Sequence, residues 1–179
     1  MTSNLELKAT APPEYLTQTD KEIIEQQLIN QEAETDEERV DFTLAYIEAK
    51  RFAATSDLQQ LSDERVAELV LQFARQIYPV KNRFGLRSMQ PVHGKTGEPI
   101  GIPPGDALEN AIVMWCEQYA IGEKDADELF YEFEYIHPLN DGNGRVGHLM
   151  WAIDVVRRTG VWPVSLPPEY AVLAATYGG

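Results

Sequence analysis

The sequence predicts an all-α fold, a helical domain with one small β-hairpin flap ahead of its central helix. Apolar residues recur at helical spacing along most of the 179 residues. Short segments bearing caps and prolines separate these stretches. Only residues 82–103 change character, with Gly85, Gly94, Gly97, Gly101, Pro91, Pro99 and Pro103, and only there does the pattern invite strands.

Residues 1–19 read as an irregular leader, because Pro12 and Pro13 break any early helix. Lys21 to Ala33 carries Ile23, Ile24, Leu28 and Ile29 at helical spacing. A second helix spans Glu37 to Ala54, with Thr35 or Asp36 as its cap. Ser62 caps a third, whose Val66, Leu69, Val70, Phe73 and Ile77 share one face before Pro79 stops it. Met89 to Ile100 is the expected hairpin, turning at His93 to Gly97. Helical spacing returns over Asp106 to Ala120 and Asp125 to Tyr135. A strongly apolar helix from Asn143 to Arg158 reads as central, with Arg157 and Arg158 suiting its last turn and Thr159-Gly160 ending it. A proline-bearing tail leads to a short last helix. The expected division is an acidic N-terminal helical extension over residues 1–55 and a main domain over residues 56–179.

The chain is 44% hydrophobic, enough for a core without staples, and its formal charge is −14. That charge repels nucleic acid, and no Lys/Arg stripe overcomes it locally. A small anion can still bind at a helix terminus beside an arginine. The lone Cys116 has apolar neighbours and reads as a buried thiol. Nothing resembles a signal peptide or a membrane span, so a cytoplasmic setting is expected, with no membrane partner.

The chemistry concentrates in His137-Pro138-Leu139-Asn140-Asp141-Gly142-Asn143-Gly144-Arg145. His137 can act as a base near neutrality, since a free imidazole titrates at about 6.5. Asp141 can offer Mg²⁺ one oxygen, because that ion takes its other ligands from water and phosphates. Gly142, Asn143 and Gly144 can bring backbone N–H groups together around a phosphate at a helix start. Arg145 can clamp a non-bridging oxygen. Each residue taken singly is also an ordinary turn or surface residue; their order directly before an apolar helix carries the case.

This segment resembles the Fic/Doc superfamily, specifically Fic proteins, whose signature is similar to HxFx(D/E)GNGRxxR. Here the run is HPLNDGNGRVGH, from His137 through His148. The order Phe84-Gly85-Leu86-Arg87, a hairpin-like stretch, Pro103-Pro104 and two helices also resembles that family, over about residues 60–164. The resemblance implies a protein adenylyltransferase that moves AMP from ATP to a hydroxyl side chain of a target protein. It implies His137 as the base, Asp141 as the Mg²⁺ ligand, Gly142, Asn143 and Gly144 as the anion hole, and Arg145 on a leaving-group phosphate. It further implies that the protein target docks along the 89–100 hairpin by β-augmentation.

Two departures matter. Leu139 replaces the usual Phe as an apolar anchor. His148 replaces the second arginine, which in the family orients the terminal phosphate; at i+3 from Arg145 it can share that phosphate-facing side, with one donor in place of a charged fork. A different nucleotide or phosphate-containing donor, or a catalytically degenerate binding or regulatory module, therefore stands beside the ATP reading. The family's inhibitory pattern (S/T)xxxE(G/N) has formal matches at Thr10 to Glu14 and Ser165 to Glu169. Both contain paired prolines and end on Tyr, which leaves open a separate regulatory chain. Glu128, Glu132 and Glu134 read as solvated positions on the preceding helix.

Overall fold

The computed structural model describes residues 16–178. The elements are α1 (Gln18–Asn30), α2 (Asp36–Thr55), a 3₁₀ turn (Leu58–Gln60), α3 (Asp63–Ile77), α4 (Asp106–Ile121), α5 (Ala126–Ile136), α6 (Asn143–Thr159) and α7 (Tyr170–Tyr177). Pro12, Pro13 and the Thr10 to Glu14 match lie outside the described residues.

The helices begin where short polar side chains can satisfy the first orphan N–H groups. Thr17 and Asp20 cap α1 reciprocally, at 3.0 and 2.9 Å, and Thr35 and Glu38 do the same for α2, both at 3.2 Å. Ser62 accepts from the Arg65 N–H at 3.1 Å and Asp125 from the Glu128 N–H at 2.7 Å. Gly122 and Gly160 end α4 and α6 in the left-handed conformation.

The apolar helix α6 is the axis of the fold. It is buried without interruption from Asn143 to Asp154 and packs against α5, α2 and α3. Phe42, Ala45, Tyr46 and Ala49 of α2 enter the same core as Val66, Leu69 and Phe73 of α3 and Val146, Leu149 and Ile153 of α6. Each large aliphatic or aromatic side chain so buried contributes about 1.5–3 kcal/mol. Two buried aromatic residues have their polar tips paired: the Tyr119 hydroxyl donates to the Met150 carbonyl at 2.7 Å, and the Trp115 indole to the Leu129 carbonyl at 2.8 Å. Cys116 is buried, and burial pushes its thiol up to about 12. The α7 helix covers α5 through Leu173, which joins Ala126, Phe130 and Trp151 in a second apolar cluster. No helix among the described residues is long and apolar enough to cross a membrane.

The hairpin flap is not there. Among the described residues no strand forms, and residues 89–100 hold a single isolated antiparallel bridge, Val92 to Pro99. Three backbone bonds close the loop, His93 N–H to Glu98 O, Gly97 N–H to His93 O and Ile100 N–H to Pro91 O, each at 2.8 Å. Pro91 and Pro99 lack N–H groups, so no ladder propagates from this bridge. The Gln90 side chain takes the Ile100 carbonyl at 2.7 Å. The all-α class stands without a hairpin. The expected docking of a protein target along that hairpin falls with it, because there is no strand edge for a peptide to extend.

Candidate functional site

The segment between α5 and α6 is built by long-range braces. The α5 helix ends at Ile136, and His137 follows in the left-handed region at φ 52°, its N–H reaching the Phe133 carbonyl at 3.0 Å. A side chain with a β-carbon rarely adopts this backbone, and such outliers gather at functional sites when their surroundings enforce them. Arg87 is the enforcer. Its guanidinium donates to the His137 carbonyl at 2.5 Å and the Ile136 carbonyl at 3.2 Å, and also to the carbonyls of Met89 and Ile102. Backbone bonds from Arg87 N–H to Pro138 O and Ile102 N–H to Ile136 O complete the clamp. At Gly101, φ is +79° and a β-carbon would come within 2.6 Å of the Ile136 carbonyl oxygen, so only glycine lets the 85–102 segment press against the base.

Past His137 the chain is held from inside. Leu139 is buried, so it serves as the anchor expected of it. The Asn143 side chain accepts from the Leu139 N–H at 2.9 Å and donates to the Leu139 carbonyl at 3.0 Å, which closes the loop onto α6. Asn82, fully buried after α3, donates to the carbonyls of Ala74 and Asp141 at 2.9 Å. Gly142 (φ 79°) precedes α6, whose first turn has no side-chain cap, so its N–H groups remain open to an external acceptor.

Electrostatics give the site its character. Burial lowers the pKa of His137 below its ordinary 6.5, the Arg87 charge adds to this and Asp141 opposes it, so the imidazole is neutral near pH 7. Asp141 is held by Lys81 at 2.7 Å, by the Gly142 N–H at 2.7 Å and by Arg145 at 3.2 Å. Lys81 also lies 4.5 Å from the centre of the Tyr78 ring. Arg145 is 2% exposed, and its Nε and Nη1 are enclosed with no partner. Buried donors on a charged group without acceptors are costly, and an incoming anion would satisfy them.

The structure thus brings His137, Asp141, Gly142, Asn143, Gly144 and Arg145 to one junction. His148 lies elsewhere. It is 1% exposed, its ring 6.1 Å from those of Phe42, Tyr46 and Trp151, and burial pushes its pKa down to about 3. Over Gly144 lies the carboxamide of Gln31, in the place a β-carbon would take. Among the described residues no group of three or more His, Cys, Asp or Glu side chains could hold a metal. Asp141, the carboxylate expected to offer an oxygen to Mg²⁺, has both oxygens engaged here, Oδ2 by Lys81 and Oδ1 by the Gly142 N–H and Arg145.

Sequence reasoning missed the roles of Arg87, Lys81 and Asn82, which stand 50 to 60 residues before the motif. Glu134, read as solvated, is half-buried with its Oε1 enclosed; its spacing with Phe130 and Phe133 on one face of α5 was the available signal.

An all-α protein that sets a neutral histidine and an uncapped, arginine-flanked helix start on one loop belongs to the class that handles small anionic groups. The Fic/DOC family model matches residues 12–153, and the chain belongs to that family. The match begins well before residue 60, so the family region takes in α1 and α2 as well. Membership carries a general nucleotidyltransferase-like function. None of the curated proteins compared with the chain matches it.

Proposed function

We propose that the protein is an adenylyltransferase that moves AMP from ATP to a hydroxyl side chain of a target protein. The observation that carries this reading is the Arg145 guanidinium, buried with two unpartnered nitrogens beside the uncapped start of α6. Such a place calls for a phosphate oxygen. Neutral His137 takes the proton of the target hydroxyl as that oxygen bonds to the α-phosphorus. The bond from the α-phosphorus to the bridging oxygen breaks, and pyrophosphate leaves. The N–H groups of Asn143, Gly144 and Arg145 donate to the non-bridging oxygens as their charge grows, while the Arg145 side chain holds a departing phosphate. Asp141 would hold Mg²⁺, which when bound neutralises phosphate charge.

Incubation with α-labelled ATP and Mg²⁺ in lysate should label a protein, and His137→Ala should abolish that label. Labelling that survives the substitution would remove the assignment.

A second reading is favoured by the enclosure of His148 in the aromatic core and by the Lys81 contact on Asp141. With His148 enclosed where the family's second arginine would reach the terminal phosphate, the donor would be another nucleotide or phosphate-containing molecule, or the domain would be a degenerate binding module. A folded protein that binds no Mg²⁺-nucleotide favours the module; tight preference for ATP removes the alternative donor.

A further inference from the structure

A cavity of about 660 Å³ adjoins the first turn of α6, walled by the end of α1, the inner face of α5 and the 165–170 segment. Its volume is within the range of small-ligand sites. Glu134 lines it, with Oε1 fully enclosed against Gly147 and no hydrogen-bond partner. We propose that this cavity receives the base of the nucleotide donor and that Glu134 reads the base's exocyclic amine. The proposal rests on the nucleotide reading above, and deepens it by naming the chemistry that selects the donor.

The cavity's polarity argues for that orientation. Its lining contains two carboxylates, Glu134 and Glu169, and no Lys, Arg or His. A phosphate is unwelcome in its depth but welcome at its Gly144 edge, where the N–H groups of α6 are open. A bipolar ligand therefore lies with its anionic end at Gly144 and a neutral, N–H-bearing end inside.

The walls suit a flat ring. Phe130 and Tyr170 both face the cavity, and Tyr170 stacks on Tyr131 with ring centres 5.5 Å apart and planes 20° from parallel, which fixes its position. The carboxamide of Gln31 lies at the edge shared with Gly144.

Glu134 supplies the specificity. Glu134 is half-buried, and no donor among the described residues reaches its carboxyl group, which must either keep its proton or receive one from a ligand N–H. Burial pushes Glu134 up to about 7, which shows how poorly the protein alone satisfies its charge. An exocyclic amine of adenine or guanine supplies the missing donor.

Calorimetric titration of the full chain with Mg²⁺ and two nucleotide pairs tests the proposal. ATP is compared with purine riboside triphosphate, and GTP with ITP; within each pair one exocyclic amine is the distinguishing donor. In at least one pair the amine-bearing member should bind on the order of tenfold more tightly, the worth of one hydrogen bond to a charged acceptor. Glu134→Met should bring that pair to within about twofold by weakening only the amine-bearing member. Members of both pairs binding alike to the native protein, or a preference that survives Glu134→Met, would overturn the proposal. The native pairs decide it even where the variant does not fold. Failure of all four triphosphates to bind would instead overturn the nucleotide reading, and this proposal with it.

Discussion

His148 makes the stability of this protein depend on acid in a way that can be isolated. Its ordinary pKa is 6.5, and in the folded chain burial among Phe42, Tyr46 and Trp151 brings it to about 3. A group depressed on folding stabilises fully above its unfolded pKa, and that contribution is lost as the pH falls towards the folded one. Taking the protein from about pH 7.5 to about 5.5 protonates the residue in the unfolded chain but not in the folded one. The unfolded state gains roughly tenfold, or roughly 1–2 kcal/mol, and the melting temperature falls by a few degrees for a chain this long. Glu134 acts in the opposite sense. Held at about 7 against an ordinary 4.5, it takes up its proton first in the folded state and stabilises as the pH falls between those values. The native profile is therefore blunted, and the comparison must be with a variant. His148→Leu keeps similar volume and loses the ring nitrogens. Urea unfolding followed by tryptophan fluorescence at both pH values should show the native protein losing roughly 1–2 kcal/mol more than His148→Leu. Parallel pH profiles for the two proteins would refute the claim that His148 is held neutral in the core.

Other perturbations separate the braces from the chemistry. Gly101→Ala should destabilise by about 2–4 kcal/mol in the same urea assay, because its β-carbon meets backbone at a positive φ. Arg87→Met, which strips donors from four carbonyls, should cost about 3 kcal/mol or more and leave little folded site to assay. Lys81→Ala removes a half-exposed ion pair and should change stability by less than about 1 kcal/mol. By freeing Asp141 it should also lower the Mg²⁺ concentration needed for half-maximal nucleotide binding, measured by calorimetry. The acid limb of the transfer rate should lie below pH 6.5, since the lowered pKa of His137 keeps the base unprotonated at that pH; a limb at or above 6.5 would contradict that shift.

Local chemistry made the helices legible. Thr35 and Ser62 were readable as caps, and the last helical residues of α4 and α6 fall just before Gly122 and Gly160. The capping box of Thr17 and Asp20 was equally local and was overlooked, which started α1 three residues late. The 89–100 loop misled because glycine and alternating apolar residues suit a hairpin, whereas Pro91 and Pro99 leave its ladder without donors. The motif itself could be read as a phosphate loop because its chemistry is contiguous. What positions it could not, because Arg87, Asn82 and Lys81 reach it only through tertiary structure. The surroundings of His148 and Glu134 were hidden for the same reason: sequence spacing fixes a face of a helix, not what the neighbouring helices place against it.

The Arg87 clamp has a consequence for how the protein comes together. The bond from Arg87 to the His137 carbonyl spans 50 residues, a segment that contains all of α4 and α5. Closing a loop of that length costs about 3 kcal/mol in chain entropy before any contact across it is gained. Until α4 and α5 dock and bring the two ends together, the left-handed turn at His137 has only its local bond to the Phe133 carbonyl and none of the Arg87 braces. The orientation of the base therefore depends on the packing of the two helices that lie between it and its brace in the chain.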